Sequence, residues 1–143
     1  MLSWKKCAIR HGCFERAVVV PPLLGEALAG SDFVIAEWVD DGATSSAEWP
    51  IAPLHVHDRD DEAWYVLEGT LGFRRGDELL EAPAGSGVLV AAGTAHTFWN
   101  AATSPARYLI VMTPRIAALV EAIHLPGADV PALFHRFDSR LVQ

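Results

Sequence analysis

Short apolar runs bounded by turn residues dominate the chain, the spacing of an all-β sandwich or barrel. Ala17–Val20 is β-branched and stops at Pro21-Pro22, and Asp32–Val39 reads as a strand ending at Asp40-Asp41-Gly42. Beyond a polar loop over Ala43–Trp49 come Ala52–His57, Glu62–Glu68, Thr70–Arg74, Glu78–Glu81, Gly87–Val90, His96–Ala101 and Arg107–Met112. Each ends at a Gly, Pro or polar turn, notably Glu68-Gly69, Arg75-Gly76-Asp77 and Thr103-Ser104-Pro105. These runs predict about nine short strands in a meander, and closing them into a barrel or jelly roll hides their edges. Leu23–Ala29 is expected to hold a short helical turn.

The chain ends in a different pattern. Thr113-Pro114 resembles a helix N-cap followed by Pro at the first helical position. Ile116, Leu119, Val120 and Ile123 then recur at three- and four-residue spacings, an amphipathic stripe closing at Leu125-Pro126-Gly127. Val130–Phe137 predicts a second, shorter helix with Leu133, Phe134 and Phe137 on one side. Both helices are expected to cover the outside of the barrel or a subunit interface.

At 143 residues the chain has the size of one domain, with the barrel expected over about 17–112 and the helices over about 114–138. The composition, 51% hydrophobic and 20% charged, is that of a globular protein able to bury a core without disulfides. A net charge of −7 with no Lys/Arg stripe argues against a nucleic-acid partner. Cys7 and Cys13, five residues apart, match no common zinc or redox spacing. The N-terminal stretch lacks an export signal, and Ala82–Ala106 is too rich in Gly, Pro, Ser and Thr to span a membrane. A cytoplasmic protein with reduced thiols is expected.

Candidate chemistry concentrates in Pro53–Gly69. His55 and His57 are two apart, so on a strand both imidazoles point to the same face. Asp58–Asp61 suit a tight loop, and Glu62 then opens the next strand where it faces the same space. A second segment, Gly85–Asn100, offers His96 just after the turn Gly93-Thr94-Ala95. Imidazole nitrogens suit Zn, Fe, Ni and Cu, and one carboxylate extends the choice to Mn. Three His and one Glu leave one or two coordination positions open, the arrangement of a catalytic rather than a closed structural site.

Together these residues resemble the cupin superfamily, whose first motif is Gly-x5-His-x-His-x3–4-Glu-x6-Gly and whose second is Gly-x5-Pro-x-Gly-x2-His-x3-Asn. The chain has His55-x-His57-x4-Glu62-x6-Gly69, then Gly85-x5-Ala91-x-Gly93-x2-His96-x3-Asn100. Trp49 stands at the leading Gly and Ala91 at the Pro; neither is a ligand position. The resemblance implies a double-stranded β-helix with a C-terminal helical extension, and one divalent transition-metal ion (Fe, Mn, Ni, Cu or Zn) held by His55, His57, Glu62 and His96. It also implies a homodimer, with exposed apolar residues such as Ala17–Leu24 available for pairing.

If Glu62 points inward, alternation carries Trp64 and Val66 inward and sends Tyr65 outward. Trp64, Phe98 and, more weakly, Trp38 are candidate walls of a small-molecule pocket, or simply barrel filling. His11, His124 and His135 are expected at surface or interface positions. The fold alone does not set the reaction. Three classes follow: a dioxygenase resembling the quercetinase-like small cupins, a non-redox isomerase or zinc-dependent polyketide cyclase, and a binding or sensor module. In either enzyme Glu62 is the expected proton handler.

Overall fold

Alternation between buried and outward positions organises the molecule. The computed structural model describes residues 8–9, 26–42, 51–100 and 102–143. Its strands are β1 (Ala8–Ile9), β2 (Glu26–Ala29), β3 (Val34–Asp40), β4 (His55–His57), β5 (Glu62–Glu68), β6 (Thr70–Arg75), β7 (Glu78–Pro83), β8 (Gly87–Val90), β9 (His96–Trp99) and β10 (Ala106–Met112). Helices α1 (Pro114–Ile123) and α2 (Val130–Arg136) follow, and a last strand, β11 (Ser139–Leu141), closes the chain.

Two sheets result, in the orders β1-β2-β3-β10-β5-β8 and β11-β4-β9-β6-β7. This is the jelly roll, not a meander. From β5 onward the chain crosses repeatedly between sheets, so β10 lies between β3 and β5, and β9 between β4 and β6. Each strand thereby turns one face to a shared interior. Along β10, Ala106, Tyr108, Ile110 and Met112 point inward and Arg107, Leu109 and Val111 outward. Trp64, Val66, Leu71, Phe73, Val90 and Phe98 fill the space between the sheets.

Residues 26–29 form a strand where a helical turn is expected. Ala27, Leu28 and Ala29 pair with Ala36, Ile35 and Val34 of β3, so ladder pairing outweighs the helical preference of Glu-Ala-Leu-Ala. The expected strand Ala17–Val20, the loop Ala43–Trp49, Trp49 at the motif's leading position, both cysteines, His11 and all of Ala17–Leu24 lie outside the described residues. Among the described residues, no helix is long and apolar enough to cross a membrane.

Two motif glycines have a steric reason. Gly69 turns the chain from β5 into β6 at φ +75°, and a Cβ there would meet Pro105 O at 2.8 Å. Gly93, at φ +81°, donates its N–H to His57 O over 2.7 Å and so ties the turn before His96 to β4.

Candidate metal centre

His55 and His57 flank Val56 on β4, Glu62 opens β5 and His96 opens β9. His55 and His96 are cross-strand partners in the β4–β9 ladder. All four side chains are buried, and each offers a ligand atom within 4.8 Å of the others. The nearest separations are His55 Nε2 to His57 Nε2, 3.1 Å; His96 Nε2 to Glu62 Oε2, 3.2 Å; and His57 Nε2 to Glu62 Oε2, 3.4 Å. Two ligands about 2.1 Å from one ion, at tetrahedral or octahedral angles, stand roughly 3.0–3.4 Å apart. The donor set has that spacing.

The outer nitrogens say why these atoms face inward. His55 Nδ1 donates to Pro53 O (2.6 Å) and His96 Nδ1 to Thr94 O (2.9 Å), and a carbonyl only accepts. The Ser139 hydroxyl donates to Phe137 O (3.1 Å), leaving its oxygen to accept from His57 Nδ1 (2.7 Å). Each ring thus carries a proton on Nδ1 and turns its Nε2 inward. Outer hydrogen bonds of this kind orient metal-binding imidazoles.

Charge points the same way. Burial, then the neighbouring His96 and His57, push His55 down to about 4, so it is neutral at pH 7. Burial pushes the Glu62 carboxyl up, but its hydrogen-bonded neighbours His57 and His96 outweigh this and hold it down at about 2. An ionised carboxylate and three imidazole Nε2 atoms thus converge in one buried cluster. A buried anion calls for a compensating positive charge, and a divalent ion supplies it. The residues fit a metal.

The acidic loop after β4 is an anchor. Asp58 pairs with Arg140, Asp60 accepts from Thr113 Oγ1 (2.9 Å) and meets Arg115 (3.4 Å), and Asp61 accepts from Ala92 N (2.9 Å). The loop is thereby tied to the start of α1 and to β11. In turn β11 pairs with β4, placing Ser139 opposite His57 and Leu141 opposite His55.

His55, His57 and Glu62 open onto a cavity of about 250 Å³; His96 lies behind them. The barrel contributes Trp38, Phe98, Ile110 and Met112 to its walls. The other side is built by Ile116, Leu119, Val120 and Ile123 of α1 and by Val130 and Phe134 of α2. The helices therefore wall the cavity instead of covering the barrel's outside, because the amphipathic stripe finds its apolar partner at the barrel mouth. Phe134 also meets the His55 ring edge-to-face at 5.4 Å.

Of the candidate aromatic residues, Trp38 and Phe98 reach the cavity. Trp64 does not: its ring packs against Phe73, Phe98 and His96 in the interior. Tyr65 points outward, 46% exposed. His124, expected at the surface, is exposed but sits on the cavity rim, while His135 is exposed and away from it. Ser139 and Phe134 carry no motif signal; only the position of Phe134 on an amphipathic face hinted at burial.

A jelly roll with three histidines and a glutamate at its inner strands defines the class. Residues 47–112 match the family model described as the cupin domain. No curated protein is similar enough in sequence to count as a relative. Among solved structures, TT1209 from Thermus thermophilus is similar at 25% identity and a TM-score of 0.52, over 61% of this chain and 77% of that one. A Klebsiella pneumoniae protein with a double-stranded β-helix domain matches at 22% and 0.53, over 71% and 91%. A sugar phosphate isomerase from the cupin superfamily of Silicibacter pomeroyi matches at 25% and 0.50, over 58% of this chain; the chain spans about half (51%) of that isomerase. Residues 47–112 are a cupin domain.

Proposed function

We propose that the chain is a metal-dependent cupin enzyme of dioxygenase type, acting on a small aromatic or enolisable organic molecule. One observation carries this reading: a buried donor set of three imidazoles and a carboxylate opens directly onto an apolar cavity. A cavity of about 150 Å³ accommodates benzene, so about 250 Å³ suits one substituted ring or two fused rings. Trp38 and Phe98 would flank such a ring. Glu62, ionised and facing the cavity, would take the proton of an enol or phenol as the substrate settles. The walls from α1 and α2 would keep water from the reacting centre. A bound Fe, Mn, Ni or Cu ion would supply the electron-transfer chemistry that dioxygen needs.

The non-redox reading has support in the similarity to the Silicibacter pomeroyi isomerase. There a zinc ion would act as a Lewis acid, and Glu62 would again move the proton. A phosphorylated sugar is a poor fit for this cavity, because no Lys or Arg is among its described lining residues and phosphate calls for such partners. A cyclase or isomerase acting on an apolar, enolisable substrate fits better.

Elemental analysis of the protein purified without added metal or affinity tag tests these readings. Iron, manganese, nickel or copper near one equivalent supports the oxygenase. Zinc at that level removes it and leaves the non-redox enzyme. No uptake, even after supplementation, sinks both and leaves a small-molecule binding module.

A homodimer belongs to the same proposal. Val39, Tyr65 and Leu89 are exposed on the outer face of the six-stranded sheet, an apolar surface suited to pairing. Light scattering is expected to give twice the chain mass; a monomer at micromolar concentration rejects the pairing.

A further inference from the structure

We propose that Ser139 is a positioning residue for the metal centre: it fixes the tautomer and orientation of His57. Ser139 Oγ lies 2.7 Å from His57 Nδ1 and 3.1 Å from Phe137 O, and the residue is 3% exposed. The hydroxyl's one proton is committed to the carbonyl, so its oxygen meets the imidazole as an acceptor. His57 must then carry a proton on Nδ1, which presents its Nε2 to His55 and Glu62. His55 and His96 obtain the same constraint from carbonyls two residues before them in their own segments. His57 obtains it from a side chain 82 residues away.

The contact is held by more than its own length. Ser139 and His57 are register partners in the β4–β11 ladder. Asp58 N donates to Asp138 O over 2.8 Å immediately beside them, and Val142 N to Leu54 O over 2.9 Å at the other end. Arg115 bonds Asp138 at 2.8 Å, fixing the turn that leads into Ser139. The C-terminal strand is therefore part of the ligand-orienting framework of β4. For its effect on metal the inference rests on the metal-centre reading, but the tautomer it assigns is independent of that reading.

Two readouts test it. In metal-free protein labelled with 15N-histidine, His57 is expected to show a protonated Nδ1. Ser139→Ala is expected to mix the tautomers, and Ser139→Thr to restore the single form. In metal titrations with Co(II) and Zn(II), Ser139→Ala is expected to weaken binding about 10- to 100-fold and to alter the Co(II) visible spectrum, with Ser139→Thr again restoring both. Arg140→Ala breaks only an exposed pair with Asp58 in the same strand and is expected to leave the tautomer unchanged. Should a folded Ser139→Ala protein keep the His57 tautomer, or Arg140→Ala disturb it equally, the proposal is overturned. If the wild-type protein binds neither metal, the metal reading fails while the tautomer comparison still decides the role of Ser139.

Discussion

The barrel interior has two adjoining regions that solve burial in opposite ways. Around Trp64, Phe73, Phe98 and Tyr108 the rings meet edge-to-face, tilted or stacked at 5.3–5.8 Å. Contact and exclusion of water suffice there. Only 5.8 Å from the Trp64 ring, His96 begins a region where four buried ligand atoms face one another. The rings are oriented by hydrogen bonds on their far sides, and His57 and His96 hold the Glu62 carboxylate ionised. The aromatic region serves stability. The histidine region presents its donors to a ligand.

This contrast is sharpest for Phe73→Ala. Phe73 is fully buried, so the substitution should cost about 3–5 kcal/mol in urea unfolding, while the folded fraction keeps its metal affinity. A collapse of affinity would show that the two regions are one. Glu62→Gln is the converse. Metal affinity should fall more than about 100-fold, beyond the loss of an outer partner, as read by titration. The amide can donate to His57 or His96 Nε2, so the metal-free protein should melt no lower than wild type.

The pH dependence separates the regions further. His55 lies at about 4 against an ordinary 6.5, and Glu62 at about 2 against 4.5. In both cases the unfolded chain binds more protons than the folded one within the window. Stability of the metal-free protein should therefore fall as pH drops from 6.5 to 4, and again from 4.5 to 2. Urea midpoints across this range check it, and Glu62→Gln should flatten the lower window only. Bound metal should steepen the upper window, because its ligands stay unprotonated in the folded protein while the unfolded histidines take up protons. The smallest effect is expected for Arg115→Ala, which removes partly exposed pairs to Asp60 and Asp138. Less than about 1 kcal/mol is expected, diminishing in high salt.

The donor set was legible because its geometry is local. His55 and His57 share a face by strand alternation, and Glu62 and His96 each begin a strand just after a turn. Strands Glu62–Glu68 and Gly87–Val90 have the expected limits, and α1 begins behind Thr113 as its capping pattern predicts, with the hydroxyl accepting from Ile116 N. Residues 26–29 were misread because a four-residue strand is decided by the strands beside it. Trp64 and Trp38 could not be sorted by alternation, which assigns an inward face without saying which inward residue meets packing and which meets space.

Resemblance to the cupin motifs implied the jelly roll and the set of four ligands; by itself the sequence determined short strands, the shared face of His55 and His57 and an amphipathic helix after the last barrel strand. These follow from periods of two and of about 3.6 residues, which any short window displays. Tertiary structure alone decided that the helices wall the cavity, that Asp60 reaches Thr113, and that Ser139 meets His57. Such contacts join residues tens of positions apart, and no local period encodes them. They arise when the chain's end pairs with β4, bringing a hydroxyl with no motif of its own against a metal-site histidine.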